Sequence, residues 1–190
     1  MILDLQKGMS LDLTKKGNEK FQIALKWDAN DVGEAIDVDV SAFMLVESQG
    51  KKKLTELKYV CYFKQLKTPC GTLRLSEDSR DGMKNGDDES LNIDCDKAPN
   101  EVVQINVYIN IFKPKVTFKE IKSAKAMIRD ENGKDIAFFD MSRDFKNENS
   151  ILVCNIIKDS SNNWSLVPSG EGYVITDLNT IVSHLNSQGV

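Results

Sequence analysis

The sequence predicts an all-β fold, a two-sheet β-sandwich followed by one C-terminal amphipathic helix, and three observations lead to this prediction. Apolar and polar residues alternate through most of the 190 residues, which is the period of strands whose successive side chains face opposite sides of a sheet. Turn residues separate these runs into many short strands, a pattern typical of a sandwich or a barrel, of which we expect the sandwich. Residues 177–188 instead show a helical period.

Each expected strand is an alternating or apolar run bounded by turn residues. The expected strands cover residues 21–27, 36–46, 57–63, 72–75, 91–95, 103–111, 124–130, 135–140, 151–158 and 164–168. Asn132-Gly133 predicts a type I′ hairpin turn, in which both central residues take a positive φ, and Ser161-Asn162-Asn163 predicts a second hairpin. Lys51-Lys52-Lys53 follows Gly50 and is expected at a solvated hairpin tip.

The helix is expected from Asp177 to Gln188, with Asp177 capping its first turn and Gly189 ending it. Its apolar positions follow the spacing i, i+3, i+4 and i+7, so it should pack one stripe on a sheet. These positions are Leu178, Ile181, Val182 and Leu185. His184, the single histidine, falls on the polar side of this helix, where we expect it to be exposed.

Composition indicates an ordinary globular protein. The hydrophobic fraction is 41% and the charged fraction 28%, and no run approaches the roughly 20 apolar residues of a membrane helix. Without an internal repeat, a linker or a signal-peptide pattern, we expect one cytoplasmic domain over residues 1–190. The net charge of -4 and the lack of a basic face predict no nucleic-acid partner. The lack of a long apolar run predicts no membrane insertion.

The four cysteines are Cys61, Cys70, Cys95 and Cys154, and none belongs to a C-x-x-C pair. This spacing argues against a zinc or redox motif. Since Cys61, Cys95 and Cys154 fall in strand-like runs, we expect buried free thiols in preference to disulfides.

Acidic residues concentrate in two segments. The first contains Asp28, Asp31, Glu34, Asp37 and Asp39, with no basic residue between its ends. Within it, Asp37 and Asp39 alternate with apolar residues, so both carboxylates should leave the same side of a strand, about 6.5 Å apart at the backbone. The second contains Glu77, Asp78, Asp81, Asp87, Asp88 and Glu89, with turns at Gly82 and Gly86.

This oxygen-rich composition suits Ca²⁺, a hard cation that takes six to eight oxygen ligands in a tolerant geometry. Mg²⁺ fits less well because it requires a near-octahedral site, and Zn²⁺ lacks a nitrogen-ligand cluster. The EF-hand pattern fails, since counting from Asp78 puts Arg80 at the third ligand position. From spacing alone, two interpretations stand: a cation site, or solvated acidic loops that keep the protein soluble.

The same segments resemble the TerD family in order and spacing over nearly the whole chain. The matching motifs are Leu5-Gln6-Lys7-Gly8, Leu11-Asp12-Leu13, Trp27-Asp28, Asp37 to Phe43, Asp78 to Gly82, Gly86 to Glu89, Phe118, Trp164, Gly170 and Gly172. The resemblance implies a two-sheet sandwich that carries calcium between acidic loops, encoded in bacterial operons linked to tellurite resistance, phage defence and general stress. It implies no catalytic activity, and it implies protein partners from the same stress system.

Residue by residue, the resemblance also implies a ligand set. Carboxylate ligands are expected from Asp28, Asp37, Asp39, Asp78, Asp87, Asp88 and Glu89. Arg80 and Gly82 have only main-chain oxygens to offer, and Ser79 has its main-chain oxygen and its hydroxyl. The leading hypothesis is therefore a non-catalytic binding module in which calcium joins two acidic loops.

Two other functional classes stay open at this point. A metal-dependent hydrolase would use paired carboxylates for acid and base catalysis, although no further motif supports it. A receptor for a small, cyclic-nucleotide-like ligand would stack a base on Trp27 or Trp164, but both lie in alternating runs that favour burial in the core.

Overall fold

The computed structural model describes residues 2–6, 9–14, 17, 19–29, 36–76, 86–175 and 177–188. Within these residues the chain forms thirteen strands and two α-helices, α1 (Met141–Asp144) and α2 (Leu178–Gln188). In chain order the strands are β1 (Leu3–Asp4), β2 (Leu11–Asp12), β3 (Lys20–Ala29), β4 (Asp39–Ser48), β5 (Lys51–Lys53), β6 (Val60–Cys61), β7 (Leu73–Leu75), β8 (Glu89–Asp94), β9 (Val102–Asn110), β10 (Ile121–Asp130), β11 (Asp135–Asp140), β12 (Ser150–Lys158) and β13 (Trp164–Tyr173).

The strands form two sheets, which confirms the predicted all-β sandwich. Sheet I has the order β1-β11-β10-β3-β8-β7, and sheet II has the order β2-β13-β12-β9-β4-β5, with β6 also paired to β4. Neighbouring strands are antiparallel except β1, which runs parallel to β11. Residues 3–12 thus contribute an edge strand to each sheet, β1 beside β11 and β2 beside β13.

One continuous hydrophobic core lies between the sheets. Trp27 and Trp164 are both buried in it, as their alternating positions predict. The strands at the centre of sheet II are buried along both faces, and β4 stays buried from Asp39 to Val46. Polar side chains on β9 are therefore buried too, and they bond to one another: Gln104 Nε2 donates to Asn106 Oδ1 at 2.6 Å.

Helix α2 packs on sheet II beside β5 and β13. Ile181 and Leu185 are buried on its apolar stripe, and Asp177 Oδ1 accepts a hydrogen bond from the Thr180 N–H at 2.9 Å, which confirms the predicted cap. His184 is half-buried, with its ring 4.5 Å from that of Tyr173, so the expectation of simple exposure is wrong. Neither described helix has the length and apolar character that crossing a membrane requires.

Two turns differ from their sequence-based predictions. In the 130–134 hairpin only Gly133 has a positive φ, because Asp130 Oδ1 accepts the N–H groups of Asn132 and Lys134 and stabilises another turn geometry. The predicted hairpin is present, but its type I′ assignment is wrong. The lysine run is the edge strand β5 and not a tip, since the turn is made one step earlier by Gln49 and Gly50, both with positive φ.

Candidate functional site

The C-terminal end of β3 and the N-terminal ends of β4 and β8 meet at one end of the sandwich, here named the acidic end. The Asp88 N–H donates to the Leu25 carbonyl at 2.9 Å, which joins the start of β8 to β3. The Val40 N–H donates to Glu89 Oε2 at 2.9 Å, which joins β4 to β8. Segment 30–35 follows β3, and segment 77–85 leads from β7 toward β8, so both acid-rich segments join the described chain at strands of the acidic end.

Asp88 lies inside this junction with an exposed fraction of 0%. Its Oδ2 accepts the main-chain N–H of Trp27 at 3.0 Å and lies 3.5 Å from Lys26 Nζ. The carboxylate thereby takes the place of a main-chain acceptor and continues the β3–β8 pairing where the backbone of β8 turns away. The indole N–H of Trp27 donates to the Ile36 carbonyl at 3.0 Å, which fixes the chain just after segment 30–35.

Glu89 connects the two sheets, because it belongs to β8 of sheet I and accepts a hydrogen bond from β4 of sheet II. It is 1% exposed, and Asp39, the neighbour of Val40, is 8% exposed. Asp39 lies opposite Asn110 in the strand register. Three of the predicted ligand residues, Asp39, Asp88 and Glu89, are therefore buried where β3, β4 and β8 meet.

A buried polar network in sheet II is centred on Asn110, the residue opposite Asp39. Asn110 Nδ2 donates to Ser41 Oγ at 2.9 Å, and Ser150 Oγ donates to Asn110 Oδ1 at 2.7 Å. Sequence reasoning missed this network. Its signal was present, since Asn110 is a polar residue between two isoleucines in an otherwise apolar run.

Asp28 and Asp37 lie at the margin of the acidic end. Asp28 is exposed, and its Oδ2 accepts the Ser123 hydroxyl at 2.7 Å. Asp37 is half-buried and precedes β4, which begins at Asp39. The expected strand from residue 36 is therefore wrong in its first three residues, and the argument that one strand directs Asp37 and Asp39 to the same side does not apply.

Asp87 contacts Arg129 of β10, whereas Asp88 and Glu89 contact β3 and β4. Both oxygens of Asp87 accept hydrogen bonds from the Arg129 guanidinium, with Nη2 3.1 Å from Oδ1 and a shorter contact between Nη1 and Oδ2. Arg129 Nε also donates to Asp135 Oδ1 at 2.7 Å. The hydrogen bonds with Asp87 and then Asp135 raise the pKa of Arg129, against the opposing effect of partial burial.

The described residues of the acidic end bring buried carboxylate oxygens near one another but do not themselves form a metal site. Burying carboxylates is costly unless cations or hydrogen-bond donors compensate their charge, and the oxygen donors found here are those that Ca²⁺ prefers. Among the described residues, no three His, Cys, Asp or Glu side chains converge closely enough to hold a metal ion. The predicted ligands Asp78, Ser79, Arg80 and Gly82 lie outside the described residues.

The cysteines are unpaired, as predicted. Burial raises the pKa of Cys61 to about 11 and that of Cys154 to about 12, and Cys95 is raised by burial as well. Cys70 is half-buried outside the strands, and burial tends to raise its pKa. Hydrogen bonds with the Thr68 and Thr72 hydroxyls outweigh that effect and leave the pKa of Cys70 lowered.

Comparison with known proteins gives one consistent match. The model of the family described as the TerD domain matches residues 1–185. The stress response protein SCP2 of Bacillus subtilis is 29% identical, with 96% of this chain and 98% of that protein covered. The tellurium resistance protein TerD of Serratia marcescens is 28% identical, with 91% and 92% covered.

A solved structure supports the fold independently. A homologue of the telluride resistance protein from Streptomyces coelicolor A3(2) superposes with a TM-score of 0.72 over 90% of this chain and 97% of its own, at 18% identity. At that identity the likeness concerns the fold alone.

Proposed function

The chain belongs to the TerD family, and on this premise we propose that it is a non-catalytic, calcium-binding module of a stress-response or tellurium-resistance system. The relatives named above carry stress and tellurium-resistance names over nearly their full length. The proposal gives the acidic end the role of the calcium site and assigns no residue to catalysis.

The observation that carries the proposal is the burial of Asp39, Asp88 and Glu89 at the junction of three strands. Lys26 Nζ, at 3.5 Å from Asp88 Oδ2, is a cation at this junction but remains partly exposed. A divalent ion bound here would place two further positive charges beside the three buried carboxylates.

In this proposal the ligands come from two sources. Asp39, Asp88 and Glu89 supply oxygens from the strand ends, while Asp28 and Asp37 lie close enough along the chain to contribute at the margin. The remaining oxygens come from segments 30–35 and 77–85, which include Asp78, Ser79, Arg80 and Gly82. Calcium bound in this way would hold the β3–β4 and β7–β8 connections together and present them to a protein partner. Asp87 is the least favoured candidate, because its carboxylate already binds Arg129.

Thermal unfolding in chelator and in excess calcium tests the proposal. An ion that binds only the native state adds RT ln(1 + [L]/Kd) to stability, about 2.7 kcal/mol at a hundredfold excess over Kd. We expect calcium to raise Tm by several degrees and magnesium at the same concentration to raise it less. Native mass spectrometry should report bound calcium before chelation, whereas an unchanged Tm and an unchanged mass would overturn the proposal.

Neither alternative has support from a specific observation. Both tryptophans are buried in the core, so neither offers a ring face on which a nucleotide base would stack. His184 of α2 packs against the Tyr173 ring of β13, and it is far in sequence from both acidic segments.

A further inference from the structure

A cleft of about 330 Å³ opens on the outer face of sheet I, apart from the acidic end. Its floor is formed by Gln22 of β3 and Asn92 of β8, whose side chains point outward while Phe21 and Ile93 point into the core. One bank is formed by β7 and the other by the turn between β10 and β11. Its volume falls within the range of small-molecule sites.

The floor of the cleft is a row of side chains that crosses the sheet. Arg74 lies opposite Asn92, and Asn92 lies opposite Gln22. Gln22 Nε2 donates to Asn92 Oδ1 at 3.3 Å, so two amides are held side by side in the middle of the row. Amide side chains both donate and accept hydrogen bonds, so this floor suits a ligand with peptide groups.

The two banks carry opposite charges. On the β7 bank the Arg74 guanidinium makes no ion pair with another described residue, whereas Lys97 is paired with Asp94 at 2.8 Å. On the opposite bank Glu131 is exposed, and it too has no ion pair within the described part of the chain. Asp130 beside it adds a second negative charge, which accepts hydrogen bonds from its own turn.

Two further cations border the floor, but Lys20 is 3.7 Å from Asp96 and Arg129 is paired with Asp87 and Asp135. Among the charges without an ion pair in the described part of the chain, the cleft is therefore positive at the β7 bank and negative at the opposite bank.

The separation of the banks sets the length of a matching ligand. Three strand spacings lie between β7 and β10, roughly 14 Å at the backbone. A three-residue extended peptide spans roughly 10 Å, and the side chains of Arg74 and Glu131 supply the remaining reach. A purely anionic ligand fits less well because Asp130 and Glu131 would repel it.

We propose that this cleft binds short zwitterionic peptides. The ligand carboxylate pairs with the forked guanidinium of Arg74, its ammonium group pairs with Glu131, and its peptide groups lie on the Gln22 and Asn92 amides. This site does not depend on calcium and is distinct from the acidic end.

NMR titration of the full chain with triglycine, in chelator, tests the proposal. The side-chain amide signals of Gln22 and Asn92 should shift to saturation. N-acetyl-triglycine and triglycine amide should each bind about two- to fivefold more weakly, the loss expected from deleting one exposed charge pair. Shifts that grow linearly without saturation, equal binding of the blocked peptides, or tighter binding of inorganic phosphate would overturn the proposal.

Two charge variants make the assignment specific. With Arg74→Gln, triglycine and triglycine amide should bind equally, and with Glu131→Gln, triglycine and N-acetyl-triglycine should bind equally. Lys51→Gln and Glu47→Gln make the same charge changes at exposed positions on sheet II and should leave both preferences intact. A carboxylate preference that survives in Arg74→Gln would show that Arg74 does not hold the peptide.

Discussion

Asp88 and Trp27 are joined by a hydrogen bond in which the aspartate carboxylate accepts the tryptophan main-chain N–H at 3.0 Å. This bond extends the β3–β8 pairing by one position beyond the backbone ladder, which ends where the Asp88 N–H meets the Leu25 carbonyl. A side chain that is 0% exposed therefore finishes a strand pair and also forms part of the acidic end.

Asp88→Ala should destabilise the protein even without calcium, because it leaves the buried Trp27 N–H without its acceptor. Such a loss costs about 1–3 kcal/mol. Urea unfolding in chelator measures it. Asp96→Ala removes an exposed carboxylate from a 3.7 Å pair with Lys20 and should change stability by less than about 0.5 kcal/mol. Equal effects in the two variants would contradict the structural role of Asp88.

Glu89→Gln should reduce the rise in Tm that calcium produces. The glutamine keeps an oxygen that accepts the Val40 N–H but loses the charge that would bind the ion. In chelator the variant should be about as stable as the parent, since the glutamine oxygen keeps the hydrogen bond from the Val40 N–H. Glu47→Gln, on the exposed end of β4, is the control and should retain the full response. An unaltered calcium response in Glu89→Gln would argue against this residue as a ligand.

Arg129→Lys should destabilise the acidic end because a lysine lacks the forked geometry that binds Asp87 and Asp135 together. The pairs are partly exposed, so the expected loss is about 1 kcal/mol. A double-mutant cycle with Asp87→Ala measures the coupling directly by chemical denaturation. Lys125 and Asp140 form a longer and more exposed pair, at 3.8 Å, and the same cycle with Lys125→Met and Asp140→Ala should give almost no coupling. Additive effects of Arg129→Lys and Asp87→Ala would refute the pairing.

Cys70 should be the thiol that reacts in the folded protein. It is half-buried with a lowered pKa, whereas the other three thiols are buried with raised pKa values. Because the thiolate is the reactive form, its alkylation rate should rise with pH and reach half its maximum at a lower pH than that of a free cysteine. Mass spectrometry should find one label per chain, none in Cys70→Ser, and four after denaturation. Labelling of Cys154 in the folded state would contradict its burial.

Gly172→Ala should destabilise the protein through a steric clash in β13. A Cβ at this position would lie 2.5 Å from Glu148 Cγ and 2.9 Å from Phe145 Cδ1. Overpacking of this kind costs about 1–3 kcal/mol, which thermal unfolding measures. Glu148→Ala removes one of the two clashing side chains together with the hydrogen bonds that its carboxylate accepts. Gly172→Ala should therefore cost less in the Glu148→Ala background than in the parent, and an equal cost would assign the clash to Phe145 alone.

The long strands were predictable from sequence for two reasons: β3 and β11 alternate because each buries mainly one face, whereas β9 and β12, at the centre of sheet II, are apolar runs bounded by turn residues. β11 has its expected bounds, and β3, β9 and β12 differ by no more than two residues at either end. β1 and β2 are two residues long, too short to show any period, and so were missed. The expected strand at 57–63 instead begins with a 3₁₀ turn over Leu57–Tyr59, followed by the two-residue strand Val60–Cys61 and a single β-bridge from Tyr62 to Gln65. β4 is buried on both faces, and therefore its alternation did not mark where it begins.

The candidate site was predictable in position but not in detail. Acid-rich segments after β3 and before β8 indicated which strand ends to examine, and Asp39, Asp88 and Glu89 do lie together there. The pairing of Asp87 with Arg129 joins residues 42 positions apart, and a single sequence carries no information about such cross-strand partners. The donor role of the Trp27 main chain also depends on register, which side-chain patterns do not report.

The two edge strands contributed by residues 3–12 constrain the order in which the protein can fold during synthesis. Leu3 pairs with Ala137 and Leu11 with Leu166, so this segment leaves the ribosome long before its partners exist. Until β11 and β13 have been synthesised, β1 and β2 lack the strands with which they pair. Until those pairs form, each sheet exposes an unpaired strand edge to other nascent chains. The fold is therefore complete only after β13 has been synthesised, when β1 and β2 can pair with β11 and β13 at the edges of the two sheets.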